Sequence, residues 1–293
     1  MSLASQSVSS RPRVETDPPG TDRSGTLSRL LGLDRPIVMG ILNVTPASFS
    51  DGGRFLDPQT AIAHARRMVA EGADIIDIGA ESTRPYGGAT PVSPSEEMRR
   101  LEPVLAAVTD LGVPVSIDTM KAQVAAAALA AGAGIVNDIW GLQRDPDMAG
   151  VVARHAVPVI MMHNRETADP AIDIMADIAA FFARSLAIAA RAGIPPHRLV
   201  LDPGIGFGKT PQQSLTALAR LDHLKTFGLP LLVGASRKRF IDMISPAPPD
   251  QRLGGSLAAH LRAVASGARI IRVHDVAETV QAFRVAAAIR DAT

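Results

Sequence analysis

Eight short apolar runs recur along this chain, each followed by a polar, Gly-rich loop and then a helical stretch. No other feature restricts the fold as much. The runs fall at residues 37–42, 74–78, 113–117, 134–137, 157–162, 198–201, 230–233 and 269–273. Several carry Val and Ile on consecutive positions, as strands covered on both faces do. Helical stretches lie between them at 58–71, 94–110, 121–131, 172–192, 212–227, 253–266 and 276–291. Pro58, Pro94 and Pro211 sit where a first helical turn tolerates proline, and glycines such as Gly72, Gly132 and Gly228 follow helix ends. Strand alternating with helix demands parallel strands joined by crossover helices. Eight such units predict an α/β chain closed into a (β/α)8 TIM barrel, which typically uses about 250 residues. A doubly wound open sheet is the alternative. It would favour a Gly-rich dinucleotide turn after its first strand, and Leu42-Asn43-Val44-Thr45-Pro46 is not one.

The first 33 residues, rich in Ser, Pro, Arg, Asp and Gly, read as a disordered tail, with the barrel domain at 34–293. The tail lacks the apolar core of a signal peptide, and Glu15, Asp17 and Asp22 argue against a transit peptide. Residues 122–137, the longest stretch of the helical part without Asp, Glu, Lys or Arg, fall short of the roughly 20 apolar residues a membrane span needs. A net charge of +1 gives no support to a nucleic-acid or anionic-membrane surface. An aromatic content of 3% argues against stacking platforms for single strands. With no Cys, disulfides and Cys-ligated metals are excluded, which suits a cytoplasmic protein.

Polar residues gather at one end of the strands. Asn43 follows the first run and Glu81-Ser82-Thr83-Arg84 the second. Asp118 ends the third, Asn137-Asp138 the fourth, His163 the fifth and Asp202 the sixth. Ser236-Arg237-Lys238 follow the seventh, and Arg272-Val273-His274 end the eighth. A helix cap or turn would account for any one of these. Eight in succession point to the C-terminal mouth of a barrel, where active sites form. Arg272 and His274, two apart on a strand, share a face. Together they suit a phosphate or diphosphate, although an ion pair of Arg272 with Asp275 is the plainer reading. Lys238 and Ser236 could serve a phosphate or a ring oxygen. Asp118, Asn137 and Asp202 suit a flat heterocycle with amino and ring N–H groups, because a carboxylate accepts two parallel hydrogen bonds from such an edge. An acidic metal cage is the competing reading, opposed by the nearby Lys238.

Two apparent motifs carry other meanings. Gly204-Ile205-Gly206-Phe207-Gly208-Lys209-Thr210 looks like a phosphate loop, but its first glycine would fall at Pro203. It reads as a flexible wall that brings Phe207 to a ligand. His163 has no His-x-x-x-His partner and reads as a satisfied or ligand-lining histidine.

These segments closely resemble the dihydropteroate synthase family. Met39-Gly40-Ile41-Leu42-Asn43-Val44-Thr45-Pro46 with Ser48-Phe49-Ser50-Asp51-Gly52-Gly53 is similar to that family's first signature, and Asp77-Ile78-Gly79 with Glu81-Ser82-Thr83-Arg84-Pro85 to its second. Ser116-Ile117-Asp118-Thr119, Asn137-Asp138-Ile139, Leu201-Asp202-Pro203-Gly204, Ser236-Arg237-Lys238 and Ile271-Arg272-Val273-His274 follow in order. The resemblance implies a transferase of folate biosynthesis that joins 6-hydroxymethyl-7,8-dihydropterin diphosphate to p-aminobenzoate, requires Mg²⁺, is a target of sulfonamides and forms a homodimer. It implies that Asp118, Asn137, Asp202 and Lys238 hold the pterin, with Met162 and Phe207 nearby. Asn43, Arg272 and His274 would hold the diphosphate, Asn43 also as a Mg²⁺ ligand. Thr83, Arg84, Pro85 and Ser236 would shape the p-aminobenzoate site. Asp118, Lys238 and Arg272 are the expected catalytic residues.

The chain departs from that pattern at Ala47, where the family usually has Asp in the loop after the first strand. The expected consequence is poorer loop closure or lower turnover rather than a lost fold. A non-catalytic pterin-binding relative is one alternative function, and a corrinoid-linked methyltetrahydrofolate methyltransferase is another. Neither has a use for Asn43, Arg272 and His274 as a diphosphate site.

Overall fold

The computed structural model describes residues 24–45, 57–81 and 92–292. Thr83, Arg84, Pro85 and Ala47 lie outside them. Eight strands, β1 (Ile37–Asn43), β2 (Ile75–Gly79), β3 (Val115–Asp118), β4 (Ile135–Asp138), β5 (Val159–Met162), β6 (Leu199–Asp202), β7 (Leu231–Val233) and β8 (Ala268–Val273), form a closed parallel barrel in chain order. The barrel closes where β1 pairs with β8, setting Ile37 opposite Ile270 and Met39 opposite Arg272. The helices are α1 (Ser24–Leu31), α2 (Pro58–Glu71), α3 (Pro94–Thr109), α4 (Ala122–Ala130), α5 (Met148–His155), α6 (Ile174–Arg191), α7 (Pro211–Ala219), α8 (Arg239–Ile244), α9 (Leu253–Ala265) and α10 (Val276–Arg290). The expected (β/α)8 barrel is what forms.

Local chemistry explains where the helices begin. Asp57 accepts from the backbone N–H groups of Gln59 and Thr60 and caps α2, and Ser93 accepts from Glu96 N–H and caps α3. Thr210 and Gln213 complete a capping box on α7, with Pro211 at the first helical position. Gly72, with φ 107°, ends α2 in the left-handed region that a side chain would resist.

Period-two alternation divides the strands between two cores. Outward residues such as Val38, Leu42, Ile76, Val136 and Leu201 pack under the helices. Inward residues at the N-terminal end, Ile37, Met39, Ile75, Ile135, Ile160, Val200, Leu232 and Ile270, fill the barrel interior. That interior is capped from below by Leu27 and Leu30 of α1, each 1% exposed. Arg269 secures the cap by donating to the carbonyls of Leu31 and Leu33 at 2.8 and 2.6 Å. The expected disordered stretch through residue 33 is therefore too long. Ser24–Leu31 is helical, because its two leucines bury themselves on the apolar underside of the barrel.

The expected helix at 212–227 is likewise corrected. It stops at Ala219 and continues as a 3-10 turn over Leu221–Phe227. One face of α9 is spent on the core, where Ala259 and Ala263 are buried.

Candidate active site

Moving up the barrel, the inward positions change from apolar to polar. The register sets Asp77 beside Ser116, Asp118 beside Asn137 and Met162 beside Asp202. Arg272 reaches into this layer from β8. Its Nε donates to Asp77 Oδ2 at 2.6 Å and a terminal nitrogen donates to Asp118 Oδ2 at 2.7 Å. Asn137 Nδ2 donates to the same Asp77 oxygen at 3.1 Å. Arg272 thus joins β2, β3 and β8 across the mouth. Its partners are these two interior carboxylates and not Asp275, which pairs with Arg237 on the rim.

Four oxygens of this layer are buried without partners among the described residues: Asp77 Oδ1, Asp118 Oδ1, Asn137 Oδ1 and Ser116 Oγ. A buried acceptor left unsatisfied is costly, and several converging in one cup mark a place built for a donor-rich ligand. Burial raises the Asp118 pKa to about 7 against the pull of Arg272, with Asp77 pushing it further up. Burial also raises Asp202 to about 6, although its Oδ1 accepts from Gly204 N–H at 2.7 Å. Burial opposes the charge on Arg272, yet Asp77 and Asp118 hold its pKa above the ordinary value. Two carboxylates poised near neutrality beside a permanent cation respond strongly to any charge brought by a ligand.

The rim is cationic. Lys238 Nζ lies 4.0 Å from the centre of the Phe207 ring and acts on both Asp118 and Asp202. Ser236, 3% exposed, lies 2.9 Å from Nδ1 of His274. Asn43 and His274 line a shared cavity of about 400 Å³ with Arg237 and Asp275. Asp118, Asn137, Met162, Asp202, Phe207, Ser236, Lys238, Arg272, His274 and Asn43 all lie at or near the mouth of the barrel.

His163 is satisfied, with Nε2 at 2.9 Å from Asp177 and Nδ1 at 2.6 Å from Lys209. The glycine-rich segment after β6 is a wall, but Lys209 ties it down by donating to the carbonyls of Gly204 and Phe207.

Three features escape the sequence reading. Asp77 is the hub for Arg272 and Asn137; an acid inside the run Ile75-Ile76-Asp77-Ile78 is the signal that marks it. The second is Lys209, 1% exposed. The third is Lys121, whose Nζ donates to Glu81 at 2.7 Å and to Glu97 at 2.6 Å, while Glu81 also accepts from Val92 N–H at 3.0 Å. No sequence signal separates Lys121 from an ordinary surface lysine.

Known proteins resemble this chain in sequence and fold. The family described as pterin binding enzyme matches residues 39–274. The dihydropteroate synthase of Bacillus subtilis is 47% identical over 244 residues, which is 83% of this chain and 85% of that protein. The dihydropteroate synthase of Escherichia coli is 45% identical over 262 residues, covering 87% and 92%. Among solved structures, Xanthomonas albilineans dihydropteroate synthase with 4-aminobenzoic acid superposes with a TM-score of 0.83 at 46% identity, covering 88% of this chain and 94% of that one. The same enzyme in complex with 7,8-dihydropteroate gives 0.80 at 43%, with the same coverage.

Proposed function

The chain belongs to the dihydropteroate synthase family of pterin binding enzymes, and from that membership we propose how its cup performs the family's reaction. It condenses 6-hydroxymethyl-7,8-dihydropterin diphosphate with p-aminobenzoate to give 7,8-dihydropteroate and diphosphate, a step of folate biosynthesis. The observation that carries the residue assignment is the set of buried oxygens on Asp118 and Asn137, unpartnered among the described residues, beside Arg272 and beneath a rim bearing Lys238 and His274.

The pterin's amino and ring N–H groups supply the donors those oxygens lack. Asp202 and Lys238 flank the ring, with Met162 and Phe207 against its faces. When the bond from the pterin methylene to diphosphate breaks, positive charge spreads into the ring. Asp118 and Asp202 stabilise that charge more than the neutral ground state, which selectively lowers the barrier. Arg272 carries five donors, of which the two carboxylates take two. It therefore fixes the pterin floor and can still face the leaving diphosphate together with His274 and Asn43. The aryl amine then attacks the methylene carbon. It is neutral at pH 7, so no strong base is required, and Ser236 with Thr83, Arg84 and Pro85 would position it.

Among the described residues no group of three His, Cys, Asp or Glu could hold a metal, so a divalent ion finds no protein cage here. Asn43 offers one neutral oxygen at the end of β1. That fits Mg²⁺, which commonly takes one or two protein ligands and completes its shell with phosphate oxygens and water. Bound there with the diphosphate, it would supply charge neutralisation on the departing oxygens. A cytoplasmic homodimer completes the proposal. Met243, Ile244, Val285 and Ile289, exposed on the outer helices, are apolar surface that a second copy could cover.

The test is diphosphate release from the pterin diphosphate with and without p-aminobenzoate, with dihydropteroate followed in parallel. Equimolar diphosphate and dihydropteroate are expected. Binding of the pterin without turnover would instead indicate a non-catalytic pterin-binding protein.

A further inference from the structure

Outside the groups the reaction uses, Lys209 is the most unusual residue in the molecule. Its side chain is sealed inside the protein beneath the loop that follows β6. An ammonium has three N–H donors, and acceptors on the loop and on β5's flank meet this one. Among them are Nδ1 of His163 at 2.6 Å, the Gly204 carbonyl at 2.9 Å and the Phe207 carbonyl at 3.1 Å. Burying a cation is expensive, so this many contacts to one ammonium mark it as more than filler. Plain packing at this position would use a methionine or leucine.

The loop is wound closely around that ammonium. Gly204, Gly206 and Gly208 have φ of 67°, 80° and 53°. A Cβ on Gly204 would run into the His163 carbonyl, and one on Gly208 into the backbone of Arg165. On its inner side the same loop presents Gly204 N–H to Asp202 and the Phe207 ring to Lys238. On its outer side His163 contacts Asp177, whose second oxygen accepts from Arg165 at 2.9 Å.

We propose that Lys209 is a positioning residue for the pterin wall: its ammonium holds the loop in the form that sets Asp202 and Phe207 against the ring. The inference rests on reading the cup as a pterin site. The groups facing Lys209 are His163 beyond β5, Arg165 in the following loop, Asp177 on α6, Asp202 on β6 and Lys238 beyond β7. Burial brings Lys209 down to about pKa 7, with Asp202 and Asp177 opposing that fall and Lys238 and Arg165 adding to it. A neutral lysine has only two N–H groups, so one tie is lost as pH rises past this value.

The experiment titrates 6-hydroxymethylpterin into the full-length wild type, Lys209→Met and Asp177→Asn, from about pH 5 to about pH 9, with steady-state kinetics alongside. Wild-type affinity is expected to climb as Asp202 and Asp118 ionise and to fall above pH 7. Lys209→Met keeps the climb and loses the fall. At neutral pH it binds the pterin about tenfold more weakly, the worth of one hydrogen bond to a charged group, with the KM for p-aminobenzoate unchanged. Asp177→Asn moves the fall to lower pH, because Lys209 then gives up its proton more readily. A loss in Lys209→Met that is uniform across pH, or an unmoved profile in Asp177→Asn, overturns the assignment. Should Lys209→Met fail to fold, Asp177→Asn decides alone. A wild type that binds no pterin removes the site reading as well, whereas normal binding with identical profiles in all three proteins removes only the role of Lys209.

Discussion

Asp118 shows how one residue couples the parts of this site. Arg272 holds one of its oxygens and the other is buried without a partner among the described residues. Its pKa of about 7 leaves the empty site partly protonated at neutral pH. A pterin donating N–H groups favours the carboxylate, so its binding should lower that pKa and release up to about half a proton at pH 7. Calorimetry in buffers of different ionisation enthalpy measures this directly, and proton uptake would contradict it. Asp118→Asn should cut turnover by about a hundredfold or more while changing the KM for p-aminobenzoate little, because the carboxylate acts mainly on charge that develops in the transition state. Asp118, Asn137 and Asp202 were legible in the sequence because each ends an apolar run, and a strand end in such a fold is a site position. Asp77 was not, since its partner Arg272 is 195 positions further along the chain and meets it only once the barrel closes. The plainer pairing of Arg272 with Asp275 failed for the same reason: strand alternation turns Arg272 inward, away from its sequence neighbour.

At the scale of elements, strand and helix periods place all eight strands within about two residues, because apolar runs bounded by Gly and Pro leave little freedom. Short elements did not announce themselves. Ser24–Leu31 offers only a few apolar residues, and so short a helix does not hold in isolation. Contact with the barrel floor stabilises it, and that contact is tertiary. Leu30→Ala should therefore lower unfolding stability by about 2–5 kcal/mol, as buried leucines generally do, and leave kcat nearly unchanged. Urea unfolding and an assay at low temperature check both halves; a loss of kcat at full stability would place α1 in catalysis instead. The 3-10 turn at Leu221–Phe227 was hidden differently, since its apolar spacing continues that of α7 although the backbone tightens after Ala219.

For the whole molecule, buried titratable groups set how stability follows pH. Lys209 titrates near 7 when folded and near 10.5 when free, so between these values the unfolded chain binds more protons than the native one. Stability must then rise with pH across this window, and the contribution is lost again as pH falls back through it. The melting temperature of the wild type should gain on that of Lys209→Met by a few degrees between about pH 7 and about pH 9. A constant gap in differential scanning calorimetry would mean that the lysine stays charged. Barrel closure has a different consequence. Arg272 lies on the last strand, and the two carboxylates that it joins lie on the second and third. When the first seven strands have been made, Asp77 and Asp118 still lack the arginine that joins them. Catalytic competence therefore waits on β8, and a product terminated before it carries the two acids without the arginine that bridges them.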